Sequence, residues 1–193
     1  MKITLRKVLK DYIAMSRYIA LGSLDGILTV LSISLTAALI SLSTHGHTST
    51  FTVGMTGLSG GIAIALSNGF GSYIGERAEE GRTIRELESQ MMLEDRKLDN
   101  TIINEKAQYR VRLSMLTHGS ASFLGSFIPL LPFFLISDIY MALTVTIIIC
   151  FIALASLGYY LGHVAKENIP KTVIQILAIG TLLVIISYLF GGA

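Results

Sequence analysis

An all-α polytopic membrane protein with five transmembrane helices is the fold class this sequence predicts, on three observations. The 193 residues are 52% hydrophobic and only 15% charged, with a mean hydropathy of +0.64; a soluble domain carries about 25% charged residues. The apolar residues are gathered into five stretches, each near the length of about 20 residues that a bilayer core requires. The fifteen lysines and arginines fall into three groups: five in residues 1–17, eight from Arg77 to Arg112, and Lys166 with Lys171. With five spans every cation lies on the same side as the N-terminus, whereas four or six would scatter them over both faces. The positive-inside rule then places the N-terminus and both charged connections in the cytoplasm and the C-terminus outside.

Taken in order, residues 1–17 set Ile3, Val8, Ile13 and Met15 among five cations. They form either a basic amphipathic segment at the membrane surface or a tail that only fixes orientation. The apolar run that follows is long enough to span and has no cleavage site, so no signal peptide is expected, and no organelle-targeting signal is seen. This describes an integral protein of the cell membrane. Spans one and two, at 18–42 and 51–75, occupy the region 18–75. They are joined by a loop with His45 and His47, whose spacing is a weak metal signal without a carboxylate. Residues 76–112 are charged. The remainder, 113–193, holds three spans at 114–136, 139–162 and 172–191. Cys150 is the single cysteine and sits in an apolar run, which leaves no disulfide and no cysteine-based metal site.

In the charged stretch, Ile84, Leu87, Met91, Leu98 and Ile102 recur at helical intervals. This predicts a cytoplasmic helical hairpin over 76–112, broken near Asp99–Asn100, with its first arm continuing span two and its second leading into span three. Its carboxylates are Glu76, Glu79, Glu80, Glu86, Glu88, Glu94, Asp95, Asp99 and Glu105. With eight cations interspersed, the hairpin reads either as a surface that gathers metal or as an ordinary solvated face. Met91 and Met92 could present soft sulfur to a metal or simply pack a helix face.

Within the membrane, Gly57, Gly61, Ala65 and Gly69 form a ridge of small residues on span two, suited to close helix packing in lipid. Asn68, Ser72 and Glu76 continue at helical spacing towards the charged stretch. Asp25 is the one acid inside a predicted span, at a cost on the order of 3 kcal/mol on insertion scales, which makes it a functional candidate. Gly26 beside it leaves room for a close approach, and Thr29, Ser32 and Thr36 extend a polar stripe from it. Asp25 lies about 11 Å along the helix from its cytoplasmic start, and Asn68 a similar distance before Glu76, so the two can meet at one level. Hard oxygen ligands of this kind suit divalent cations such as Mn²⁺ or Fe²⁺, and an Asp can also cycle a proton. His118, at the start of span three, reads as a packing or hydrogen-bonding residue. Pro129 and Pro132 are expected to bend or break that span and turn backbone carbonyls towards a cavity.

Enzymatic readings fail on geometry. Gly57-Leu58-Ser59-Gly60 matches the GxSG of rhomboid intramembrane proteases. Ser59 and the base His118 fall in opposite halves of the membrane, however, well over ~10 Å apart by the helical rise. Asp25-Gly26 resembles the start of the CDP-alcohol phosphotransferase motif, but the Ala-Arg and the later aspartates that complete it are missing. The chain is expected not to be an enzyme.

LDGILTVL in span one, SNGFGSYIGERAEE leaving span two, GSASFLGSFIPLLPFFL in span three and TLLVIISYLFGG at the end together resemble the vacuolar iron transporter family. The likeness covers nearly the whole chain. It implies a homodimer whose first two spans line a route for Fe²⁺ or a similar divalent metal, exported from the cytoplasm in exchange for protons. It also implies that glutamates and methionines of the cytoplasmic helices gather the metal. Asp25 matches the family's span-one aspartate. Span two departs: Ser67-Asn68 stands where the family reads Ser-Met, and Gly71-Ser72-Tyr73 where it reads Gly-Glu-Tyr.

The expected function is therefore a proton-coupled transporter of divalent metal, Fe²⁺ or Mn²⁺ by type. Its path would run along Asp25, Thr29, Asn68, Ser72 and Glu76. Metal would be bound by Asp25, Glu76, Glu79, Glu80, Glu86, Met91, Glu94 and Glu105. The alternative is a non-transporting metal sensor or dimeric scaffold. Expected partners are the lipid bilayer, divalent metal ions as cargo and a second copy of the chain. Neither nucleic acid nor a covalent cofactor is expected.

Overall fold

The structure, a computed structural model, describes residues 15–43, 49–94 and 96–191. Five helices account for nearly all of these: α1 (Ser16–Ser43), α2 (Thr50–Gln90), α3 (Ile102–Leu135), α4 (Ile139–Ala165) and α5 (Ile169–Gly191). Each is long and apolar enough to cross a bilayer, and there is no strand among the described residues. The five-span, all-helical expectation holds. The N-terminal basic segment up to residue 14, His45, His47 and Asp95 lie outside the described residues.

Helix α1 is central and packs against all four others. Its fully buried residues Val30, Leu35 and Ala38 join Val53, Leu130, Phe133, Ala142 and Leu143 in one apolar cluster. Ile27 and Leu31 join Cys150, Leu154 and Ile176 in a second. Cys150 is thus a small packing residue. Since lipid tails are as apolar as leucine, burial drives helix association weakly here, and close packing has to replace it. Small residues supply it. A Cβ on Gly22 would lie 2.6 Å from the His118 carbonyl oxygen, and one on Gly26 would collide with that of Ser122. From the opposite side, a Cβ on Gly125 would come within 2.7 Å of the Ser23 carbonyl oxygen. The glycine ridge of α2 also faces α3, with Gly57 on Leu130, Gly61 on Ser126 and Gly69 near Met115 and Gly119. Gly158 and Gly162 let α5 approach α4 at Val173 and Ile169.

At 41 and 34 residues, α2 and α3 exceed the ~20 residues a bilayer core needs, and their extra turns form two antiparallel arms. One register runs through membrane and arms alike: Asn68 meets Ser122, Ser72 meets His118 and Glu80 meets Arg110. Each step along α2 is matched by an equal step backwards along α3. The chain reverses earlier than expected. Helix α2 stops at Gln90 rather than at Asp99–Asn100, and the left-handed residues Met92 and Arg96 (φ 53° and 64°) turn it round. The turn is closed by tertiary contacts. Buried Glu88 accepts a hydrogen bond from the Leu98 backbone N–H at 2.9 Å, and Ile84, Leu98 and Ala107 bury a small apolar cluster with Leu87 against it. Met91 and Ile102, expected on that face, are 59% and 68% exposed: Met91 follows the last residue of α2, and Ile102 is the first residue of α3, so neither continues the buried face of α2.

Of the bend or break expected at the prolines, the break is corrected. Helix α3 continues through Pro129 and Pro132 without a break. The Pro129 carbonyl accepts from Thr146 Oγ1 of α4 at 3.0 Å, and that of Pro132 from the Ile136 N–H at 2.9 Å. The carbonyls of the two prolines themselves thus find donors inside the protein.

These packing differences give opposite expectations for the same substitution. Gly26→Ala should lower stability by about 1–3 kcal/mol, because its methyl group collides with α3 backbone that has no room to move. Gly81→Ala on the arm, where a Cβ meets nothing within 4 Å, should raise stability by about 0.5–1 kcal/mol through helix propensity alone. Thermal unfolding of both variants in one detergent measures the contrast.

Candidate functional site: a two-level polar cluster between α1, α2 and α3

The close α1–α3 crossing at Gly22 and Gly26 brings Asp25 against the seam between α2 and α3. There Asn68 Nδ2 donates to Asp25 Oδ2 at 3.0 Å and to Ser122 Oγ at 2.9 Å. Ser122 Oγ in turn donates to the His118 carbonyl at 2.9 Å, a back-bond that fixes its orientation. The level match inferred from helical rise is therefore a direct contact. A carboxylate in a span is tolerable when hydrogen-bond donors converge on it, and the Asn68 amide is one.

One to two turns nearer the arms lies a second polar level. Tyr18 Oη donates to Glu76 Oε1, and Ser72 Oγ shares a hydrogen bond with His118 Nδ1. The Tyr18 and His118 rings are 5.5 Å apart between centroids. His118 Nε2 and Thr117 Oγ1 are buried without a hydrogen-bond partner among the described residues. Asn68, Ser72 and Glu76 thus face α1 and α3 on successive turns of α2, and the two levels form a single polar seam.

The stripe above Asp25 has a distinct setting. Asp25, Thr29, Ser32 and Thr36 are all half-buried. At 100° per residue they lie roughly opposite Ile27, Val30, Leu31 and Ala38, the face that α1 turns into the core. Ile33 beside the stripe reaches Gly60 of α2, and Ser32 lies 3.3 Å from Ser187 of α5. The stripe runs between α2 and α5.

The residues expected to bind metal on the arms are dispersed. Glu80 pairs with Arg110 at 2.8 Å, Glu86 with Arg82 at 2.9 Å and Glu94 with Lys97 at 3.1 Å. Glu79 and Glu105 are exposed on separate helices, and Met91 is exposed in the turn. Among the described residues no group of three or more His, Cys, Asp or Glu comes together as a metal site. The most buried arm carboxylate is Glu88, which closes the turn instead.

Tyr18 and Ser122 belong to the seam and were not singled out from sequence, and His118 was assigned only a packing or hydrogen-bonding role. The signals were present. Tyr18 stands two turns before Asp25 on one face of α1, and His118, Ser122 and Ser126 follow one another at intervals of four on α3.

Removing the Asn68 amide should cost about 1–3 kcal/mol, since it leaves the Asp25 carboxylate without its donor in a region poor in water. In a double-mutant cycle, Asn68→Ala and Asp25→Ala should show a coupling of about 0.5–2 kcal/mol. Equilibrium unfolding in mixed micelles measures it, and strict additivity would contradict the contact.

A protein of Methanocaldococcus jannaschii, described only as uncharacterized, is 32% identical over 166 residues, covering 84% of this chain and 81% of the relative. The VIT family model matches residues 84–192, more than half the chain, from the first arm to the last span. With this match on a bundle of five membrane-crossing helices, the integral membrane protein described here belongs to the VIT family, a family of membrane metal transporters.

Proposed function

We propose that the chain exports a divalent cation, Fe²⁺ or Mn²⁺ by type, from the cytoplasm in exchange for protons. The route is lined by α1 and α2 of a homodimer. The observation that carries this reading is the Asp25–Asn68 contact, a carboxylate held by an amide within the membrane. Asn68 occupies only one carboxylate oxygen, so the other remains available to a hard cation.

The remaining path residues take roles from their places. Glu76, linked to Tyr18, receives the ion at the mouth, and Asp25 takes it one level deeper. Ser72 and Thr29 supply hydroxyl oxygens along the route. On the arms, Glu80, Glu86 and Glu94 are already paired with Arg110, Arg82 and Lys97. The Arg82–Glu86 and Lys97–Glu94 pairs are exposed; exposed pairs are in general worth about 0–1 kcal/mol, so a divalent ion displaces them at little cost. Glu80, 14% exposed, is instead the collecting position least open to the ion. Exposed Glu79, Glu105 and Met91 complete a dispersed and weakly binding collecting surface.

The stripe supports a dimer. One chain brings a single carboxylate to the intramembrane level, with neutral amide and hydroxyl oxygens around it. A second copy placed against the half-buried face of α1 between α2 and α5 adds its own Asp25 and closes the route from lipid. The N-terminus and both charged connections face the cytoplasm in this arrangement, in keeping with the positive-inside count.

Inside-out proteoliposomes test the proposal. Wild type should accumulate Fe²⁺ or Mn²⁺ faster when a pH gradient drives proton counterflow. Asp25→Asn should reduce uptake about tenfold or more, because a neutral amide neither balances the cation nor carries a proton. Uptake unchanged in Asp25→Asn would remove Asp25 from the path. A wild type that moves none of Fe²⁺, Mn²⁺, Co²⁺ or Zn²⁺ would replace transport with a sensor or scaffold role.

A further inference from the structure

Between the two arms, next to the membrane, lies a cleft of about 640 Å³ that plays no part in the seam. On α2 its wall is Tyr73, Arg77, Gly81 and Arg85; on α3 it is Asn104, Gln108 and Arg112. Both sets repeat every four residues, so each is one helix face, and the antiparallel register sets Arg112 level with Arg77 and Asn104 level with Arg85. The floor is apolar, with Ile84, Ala107 and Val111 all buried.

The charge in this cleft is one-sided. Its lining includes three guanidinium groups and one carboxylate, Glu80, and that carboxylate is engaged by Arg110 from outside the lining at 2.8 Å. Arg77, Arg85 and Arg112 make no hydrogen bond or ion pair with any described residue. Three like charges facing one space repel each other, and an anion between them removes that repulsion. Guanidinium forks match the oxygens of a phosphoryl group in shape, and such charge-assisted bonds are about twice as strong as neutral ones. The apolar floor lowers the local dielectric and strengthens them further. A Cβ on Gly81 meets nothing within 4 Å, so the cleft has open room at its centre.

We propose that this cleft binds a phosphate ester, with its phosphoryl group on Arg77, Arg85 and Arg112 and its uncharged part on the Ile84–Ala107–Val111 floor. Phosphate esters can arrive from two sources, an anionic phospholipid headgroup or a soluble ester. Tyr73 and Ile74 line the cleft beside the membrane-crossing part of α2, which leaves it within reach of lipid headgroups. The site exists whatever the transported cargo.

Native mass spectrometry and thermal stabilisation of the full chain test the site, with dioleoylphosphatidylcholine nanodiscs as the neutral reference. One arm adds dioleoylphosphatidylglycerol to the nanodisc, and the other adds glycerol 3-phosphate to the buffer. Wild type should retain the added compound and melt at a higher temperature in at least one arm, with the effect weakening as salt rises. Retention only in the first arm identifies a lipid headgroup, and retention in the second a soluble ester. Arg85→Gln/Arg112→Gln should weaken retention about tenfold or more. Gly81→Leu, which fills the cleft and leaves every charge in place, should do the same. Arg82→Gln, which removes an arginine paired with Glu86 outside the cleft lining, should retain the compound as wild type does. No retention in either arm would overturn the site. So would equal losses in Arg82→Gln and Arg85→Gln/Arg112→Gln, or full retention by a folded Gly81→Leu protein.

Discussion

The seam depends on how closely α1 can lie on α3. Gly22 and Gly26 give up their side chains so that the two backbones touch at His118 and Ser122. Asp25, adjacent to Gly26, is thereby carried to Asn68, which also holds Ser122. A carboxylate at this depth is costly on its own, and the close crossing is what supplies its donor. The same approach sets Tyr18 beside His118 and Glu76, so one backbone contact positions both polar levels. Packing and polar chemistry are here one constraint.

The second organising feature is the unbroken register of α2 and α3. Because neither helix stops at the membrane edge, the alignment that pairs Asn68 with Ser122 also pairs Glu80 with Arg110 on the arms. The arms are closed at the far end by Glu88 and the Ile84–Leu98–Ala107 cluster, and at the near end by the transmembrane packing. They are a continuous extension of the bundle, built on the same two helices as the seam.

Much of this was legible in the sequence where the signal is local or additive. Five spans follow from hydropathy and the distribution of cations, and the Asp25–Asn68 level from a fixed rise per residue along straight helices. The glycine ridge of α2 was readable as a packing face, though not that its partner is α3. What escaped is tertiary. The turn at Met91 is set by Glu88 reaching Leu98 across ten residues, which no helical periodicity announces. Pro129 and Pro132 read as breaks because their missing N–H groups are visible in sequence, whereas the packing of α3 against α1, α2 and α4, which holds the helix on both sides of them, is not. Charges on the arms read as an even mixture. Only the register sorts Arg77, Arg85 and Arg112 to the inside and leaves Arg82, Glu79 and Glu86 elsewhere.

That sorting bears on how a cation could reach Asp25. Glu76 and Arg77 are neighbours in sequence, yet about 100° of helical rotation separates them. Glu76 turns to Tyr18 on α1, and Arg77 to the cleft between the arms. A divalent ion about 8 Å from one guanidinium in water is opposed by about 1 kcal/mol, and three such groups exclude it from the cleft. The approach on the α1 side leads past the Glu76 carboxylate, with a single described guanidinium, Arg17, beside Tyr18 there. A rotation of about 100° around α2 therefore separates the face that carries Glu76 from the arginine-lined face, and an anion seated in the cleft would soften the repulsion at the mouth next to it. Neutralising that cleft is then not neutral for the seam: a phosphate ester seated there would lessen the repulsion felt by a cation at Glu76.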